Sequence, residues 1–318
     1  MKKLLVVCGQ TGTGKTSLAF YLADILGGEL VSADSRQIYR KLDIGTGKDV
    51  LKDDRYDPQG FYDVGGIKIW GYDLVGPKAA FSVGRYLRFA KRTIADILKR
   101  KKLPILVGGT GLYIKAVVDG IPTAFVPRNV SLRRNLAEKK TQELFELLAQ
   151  LDPIKAGSLN TSDRANPRRL VRAIEIATWG FEHKKLKPPR LPFFANRPQV
   201  LFIGLTARRE FLAKKIEARV DKRIAQGLEK EVRDLLSSGV NWKHQSMSSF
   251  GYREWRDYFE GKKSRDEVIT TWKKEEKRYA KRQLTWFKKD ERINWFDTSN
   301  EDFVRKVEQL VKKWYSSN

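Results

Sequence analysis

The chain has 318 residues, 41% of them hydrophobic, enough for one large core with an appendage or for two modest domains. Its 63 lysines and arginines against 38 acidic residues leave a net charge of +25, which points to a polyanionic partner, nucleic acid ahead of an anionic membrane surface; a basic composition serving solubility alone is the plainer alternative. A single cysteine and two isolated histidines exclude a disulfide framework and a zinc site and fit a reducing cytosol, and no apolar run approaches the ~20 residues that span a bilayer.

In chain order, the run Leu4-Leu5-Val6-Val7-Cys8 reads as a buried strand; it has no cleavage site and is not a signal peptide. It is followed by Gly9-Gln10-Thr11-Gly12-Thr13-Gly14-Lys15-Thr16 and then by a helical run over 15–26. This is a P-loop in its strand-loop-helix setting, whose inward N–H groups form a nest for a pyrophosphate at a helix N-terminus. Lys15 adds a point charge on the phosphates, and the Thr16 hydroxyl is placed to hold Mg²⁺. Further strands are predicted at 29–33, 67–74 and 103–108, with helices at 82–100 and 111–118, an alternation that predicts an α/β domain with a parallel sheet. Ligands sit beyond the carboxyl ends of such strands. Three segments occupy those ends: the P-loop, Ser32-Ala33-Asp34-Ser35 and Gly108-Gly109-Thr110-Gly111.

After Gly120 prolines become frequent, helical patterns run from Leu132 to Leu151 and from Arg168 to Thr178, and no strand is evident. We read 121–195 as an all-helical insertion into a core made of 1–120 and 196–318. The run 199–205 predicts a return to the sheet, followed by helices at 208–226, 228–237 and 265–288. On the last helix Trp272, Tyr279 and Trp286 share a stripe read as core, while Lys274, Lys277, Arg278, Lys281, Arg282, Lys288 and Lys289 form an opposite face read as a phosphate-backbone contact surface.

An ordinary P-loop kinase or ATPase has an Asp at the end of a neighbouring strand to hold Mg²⁺. Here 103–107 ends in Gly-Gly-Thr. Asp34 is open to three readings: that metal ligand, a general base, or the cap of a helix beginning near Gln37. Thr110 has the plain role of closing a glycine-rich turn.

Several segments together resemble the tRNA dimethylallyltransferases, also called tRNA isopentenyltransferases. They are Gly9 to Thr16, Ser32 to Tyr39 with Asp43-Ile44-Gly45-Thr46, and Leu106 to Tyr113. Arg168 to Glu175, Arg219-Val220-Asp221 with Gly227-Leu228 and Glu231-Val232, Gly251 to Glu254, and Tyr279 to Phe287 complete the set in the family's order over nearly the whole chain. The resemblance implies transfer of a dimethylallyl group from its diphosphate to N6 of the adenosine 3′ of the anticodon, on a P-loop NTPase-like core. It also implies Mg²⁺ as cofactor, nucleotide (ATP) binding at the P-loop, and dimethylallyl diphosphate and the tRNA anticodon stem-loop as partners. A cytoplasmic monomer without membrane contact is the expectation.

By the same resemblance the residues Gly9 to Thr16 and Lys215 hold the diphosphate, Asp34 is the general base, and Thr110 hydrogen-bonds near the acceptor base. Those implied to face tRNA are Asp34, Ser35, Arg36, Gln37, Thr110, Arg133, Arg168, Arg169, Arg172, Gly251, Tyr252, Arg253, Arg278, Lys281, Arg282 and Gln283. Four departures stand out. Lys215 replaces the usual arginine and so offers a point charge where two parallel bonds are expected, which predicts a weaker grip. Thr13 replaces serine and keeps its hydroxyl, while Phe250 and Asn166-Pro167 alter positions that bear on tRNA preference. An adenylate isopentenyltransferase would not need the insertion or the basic last helix. An ATP-dependent phosphotransferase conflicts with the Gly-Gly-Thr strand end, and a non-enzymatic RNA-binding protein conflicts with intact Lys15, Thr16 and Asp34.

Overall fold

The computed structural model describes residues 2–48, 55–183 and 198–317. Two compact units result, Met1–Asp119 with Phe193–Asn318, and Gly120–Pro192.

In the first unit, β1 (Lys3–Gly9) leads through the P-loop into α1 (Lys15–Leu26), and β2 (Gly28–Ser32) follows at once. Next come β3 (Arg55–Asp57), β4 (Phe61–Val64), β5 (Ile67–Trp70), α2 (Val83–Lys99), β6 (Leu103–Gly108) and α3 (Gly111–Val118). The sheet has eight strands in the order β3-β4-β5-β2-β6-β1-β7-β8. Those from β5 to β8 in that order run parallel, and β3 and β4 add an antiparallel edge. Every residue of β1, β2 and β6 is buried, as expected of parallel strands covered on both faces.

The sequence predicted one strand over 67–74, but β5 ends at Trp70, because the chain turns to let the Asp73 and Val75 amides donate to the Gln37 and Ile38 carbonyls. The β4–β5 hairpin was not anticipated. Its two-residue turn, Gly65-Gly66, has φ of 59° and 83°, the positive pair that a type I′ turn requires.

The second unit is helical among its described residues. It contains α4 (Val130–Leu136), α5 (Thr141–Leu151), α6 (Pro153–Gly157), α7 (Thr161–Arg164) and α8 (Pro167–Glu182), packed around Leu136, Leu144, Leu148, Leu170 and Ile174. The single helical pattern read from Leu132 to Leu151 is two helices here, since the Glu143 carboxylate accepts from the Lys140 amide at 2.7 Å and caps a new start.

Back in the first unit, β7 (Gln199–Thr206) pairs with β1 from Gln199 to Leu205. The remaining elements are α9 (Arg209–Ala225), α10 (Leu228–Ser237), α11 (Arg256–Phe259), α12 (Arg265–Phe287), β8 (Ile293–Asp297) and α13 (Phe303–Ser316). The last two lie beyond any element predicted from sequence. α13 buries Val307 and Val311 against the same core as Leu5, Val7 and α1, and the Lys3 ammonium donates to the carbonyls of Trp314 at 2.7 Å and Tyr315 at 3.0 Å. α12 packs on α9, α3 and β1. Trp272 on it is core, but Trp286 is 43% exposed, because this end of the helix passes over Gly111, where a Cβ would lie 2.0 Å from the indole nitrogen.

Candidate active site

Strand β1 ends in Gly9 with φ of 130°, and a Cβ there would fall 2.1 Å from the Leu205 carbonyl of β7, so the loop can begin only where the two strands meet at a glycine. Gln10, although polar, is 5% exposed. Its side chain accepts from the Thr206 hydroxyl at 2.9 Å and donates to the Ala280 carbonyl at 3.3 Å, while its own carbonyl receives Thr13 Oγ1 at 2.8 Å and Lys15 Nζ at 2.5 Å. Gly12 and Gly14 carry the curl between. Thr16 lines the cavity that the loop encloses.

The other two strand ends converge on this loop. Gln283 of α12 is 5% exposed; its oxygen accepts from the Thr11 amide at 2.7 Å, and its nitrogen donates to the Gly109 carbonyl at 3.0 Å. One amide side chain thus ties the P-loop to the end of β6. Thr110 Oγ1 accepts from the Ser35 amide at 3.0 Å, fixing the segment after β2, and Asp34 Oδ1 accepts from the Arg36 amide at 2.8 Å in a local turn. Gln37 is buried and donates to the Gly47 carbonyl at 3.0 Å, and Arg36 reaches Ser248 Oγ at 3.1 Å.

These ends enclose a cavity of about 420 Å³. Among its lining residues Asp34 is the carboxylate, and Lys15, Lys48, Lys215, Arg219, Lys222 and Arg223 are the cations. That imbalance suits a polyanion. A larger hollow of about 590 Å³ lies beside α3 and the end of α12, but of the strand-end residues it contains Gly111 and neither a P-loop residue nor Asp34, and Arg292, which lines it, is paired with Asp119 and Asp290.

Several predicted site residues turn out to brace the structure. Tyr252 is fully buried with its hydroxyl at 2.5 Å from Glu231, whose carboxylate also takes the amides of Asp43, Ile44 and Gly45; it shapes this loop and presents no surface to RNA. Gly251 is packed so that a Cβ would lie 2.8 Å from Trp272. Gln283 faces the P-loop instead of solvent. Arg253 pairs with Glu254 and Glu275 and Arg278 pairs with Glu275, and both remain exposed, as are Lys281 and Arg282. Lys215 stands on the rim, its ammonium 4.5 Å from the Phe211 ring centre.

The sequence reading gave no role to Lys48, Arg219, Lys222 or Arg223. The last three were accessible to it, because 215, 219, 222 and 223 fall on one face of α9. Lys48 gave no such signal; its ammonium is buried on the Tyr39 carbonyl at 2.9 Å and pairs with Asp43 and Asp73.

Within the helical unit Arg168 and Arg169 are exposed, while Arg133 and Arg172 are turned onto Glu175. Glu175 is 1% exposed. Burial pushes its carboxyl up, but hydrogen bonds from Arg133, Arg172 and the Asn129 amide outweigh that and hold it at about 2, below the ordinary 4.5. A depressed carboxylate stabilises the fold above its unfolded pKa and loses that contribution as pH falls through its folded one, here about 3 kcal/mol lost from about pH 4.5 downward to about pH 2. Denaturant titrations at pH 7 and pH 3 check this: Glu175→Gln is expected to lower stability at pH 7 and to differ from the parent by roughly half as much at pH 3.

Residues 37–290 match the IPP transferase family. The tRNA dimethylallyltransferase of Geobacillus thermodenitrificans is 39% identical over 98% of this chain and 96% of its own, and that of Carboxydothermus hydrogenoformans is 36% identical over the same shares. The crystal structure of the full-length tRNA isopentenylpyrophosphate transferase from Bacillus halodurans is 31% identical, covers 98% of this chain and 96% of its own, and superposes with a TM-score of 0.70. With a P-loop, an acidic strand end and a cationic helix face around one cavity, the chain belongs to the IPP transferase family, the tRNA dimethylallyltransferases.

Proposed function

We propose that this protein transfers the dimethylallyl group of dimethylallyl diphosphate to N6 of the adenosine 3′ of the anticodon in tRNA. The observation that carries the reading is that Asp34, the carboxylate among the lining residues, shares one cavity with the P-loop residues and the cations of α9. The allylic C–O bond breaks, diphosphate leaves with the bonding pair, the N6–C bond forms, and the N6 proton passes to the Asp34 carboxylate. A carboxylate is too weak a base for a free adenine amine, but that proton becomes acidic as the C–N bond forms. Lys15 and the loop amides would stabilise the charge that develops on the leaving diphosphate. The acceptor base must unstack from the anticodon loop, which costs a few kcal/mol.

The donor set fits Mg²⁺. The Thr16 hydroxyl lines the cavity, and together with phosphate oxygens of a bound diphosphate it would offer the oxygen ligands this ion takes. Bound there, it would neutralise charge on the departing diphosphate.

The deciding experiment incubates the protein with dimethylallyl diphosphate, Mg²⁺ and unmodified tRNA, then digests the RNA and looks for prenylated adenosine by mass. Indifference to the prenyl donor together with obligatory consumption of ATP would reject the reading.

The exposed basic side chains of α12 and of the helical unit would meet the RNA backbone. Lys281→Glu with Arg282→Glu is expected to weaken tRNA binding at least tenfold at 0.1 M salt and to flatten the log-affinity against log-salt slope by about two, as filter binding across a salt series would measure.

A further inference from the structure

α9 carries Lys215, Arg219 and Arg223 at successive four-residue spacings, a stripe along one face lining the cavity. Arg219 is anchored to the P-loop, its Nη1 donating to Thr11 Oγ1 at 2.7 Å. Arg223 is the deepest of the three, 6% exposed, and its guanidinium lies so close to the loop after β2 that a Cβ on Gly47 would stand 2.2 Å from Nη2. Its carboxylate partner is Glu276 at 3.3 Å, a long contact for an ion pair, and that carboxylate also takes the Trp272 indole N–H at 3.2 Å. Burial, then the charge of Arg219 beside it, pull the Arg223 guanidinium down to about 10. Two guanidinium groups one turn apart, one of them buried, repel each other unless an anion lies between or beside them.

A buried ion pair kept only for stability would be expected to be closed and bidentate and to face away from a cationic cavity. Arg223 lines that cavity instead, on the same helix face as two other cations. On that face Lys215 offers a point charge, whereas Arg223, two turns further along, supplies a forked donor.

We propose that Arg223 is a diphosphate-binding residue of this chain, steadied by Glu276 so that its remaining N–H groups meet the donor's phosphate oxygens beside Arg219. It makes up for the point charge at Lys215 and sets how tightly donor and product diphosphate are held. The inference rests on the reading of the cavity as the donor site.

The test uses inorganic diphosphate with Mg²⁺ as the probe, titrated calorimetrically into the parent protein, Arg223→Met, Glu276→Gln and the double variant Arg223→Met with Glu276→Met, with thermal melts to establish folding. Arg223→Met and the double variant are expected to bind diphosphate at least tenfold more weakly, while Glu276→Gln, whose amide oxygen can still accept from the guanidinium, is expected to lose less than Arg223→Met. The double variant removes both charges, so it remains informative where Arg223→Met alone leaves a buried carboxylate that unfolds the protein. A folded double variant that binds diphosphate within twofold of the parent overturns the proposal, as does a folded Arg223→Met variant that does so. Failure of the parent itself to bind diphosphate would instead reject the reading of the cavity.

Discussion

Asp34→Asn is expected to lower prenyl transfer by about 10³-fold while tRNA binding stays within a few-fold of the parent. A positioned general base contributes 10² to 10⁴ in rate, and Asp34 is the carboxylate lining the cavity, so no neighbour there can take over the proton. The substitution isolates chemistry from folding. Asp34 Oδ1 accepts from the Arg36 amide at 2.8 Å, and an asparagine oxygen can accept the same bond, so the turn survives. Single-turnover assays with saturating donor, read as prenylated adenosine by mass, measure the loss. Turnover at the parent's level would remove Asp34 from the role of base.

Lys15→Met is the second large effect, a fall of about 10² to 10³ in turnover, the range seen when one preorganised donor to a developing charge is removed. The ammonium rests at 2.5 Å from the Gln10 carbonyl, inside the curl of the loop, and methionine preserves the length of the side chain without the charge. The loop itself is held by Gln283, Thr206 and Leu205, none of which depends on Lys15, so the variant is expected to melt close to the parent. Because the charge on the diphosphate grows as the C–O bond breaks, kcat should fall more than KM rises. A rise in KM with unchanged kcat would mean that Lys15 serves ground-state binding alone.

The parts of the fold that were legible from sequence are those whose signal is local. The P-loop, the buried strands β1, β6 and β7 and the helices α2, α9 and α12 each carry their own periodicity or glycine pattern. What escaped was set by partners far along the chain. The β4–β5 hairpin did have a signal, in Gly65-Gly66 between two short runs of alternating residues, and the reading merged half of it into one strand. β8 is a strand because it lies beside β7, since its five residues alone do not announce it. Burial of polar groups was the least accessible feature. Gln283, Glu276 and Arg223 look like surface residues by type, yet α12 presents the first two to the P-loop and to α9, where amide and charged partners await them. The same blindness hid the burial of Tyr252 with its hydroxyl on Glu231, and the hydrogen bonds that Arg133 and Arg172, both still partly exposed, make to Glu175.

The pairing of β1 with β7 bears on how the protein can be made. Gly9 obtains its geometry from Leu205, and Lys3 from carbonyls of α13, so on the ribosome the glycine-rich loop is made well before the strand that shapes its start. A nascent chain arrested before Leu205 should therefore show no diphosphate affinity even though its entire glycine-rich segment has been translated.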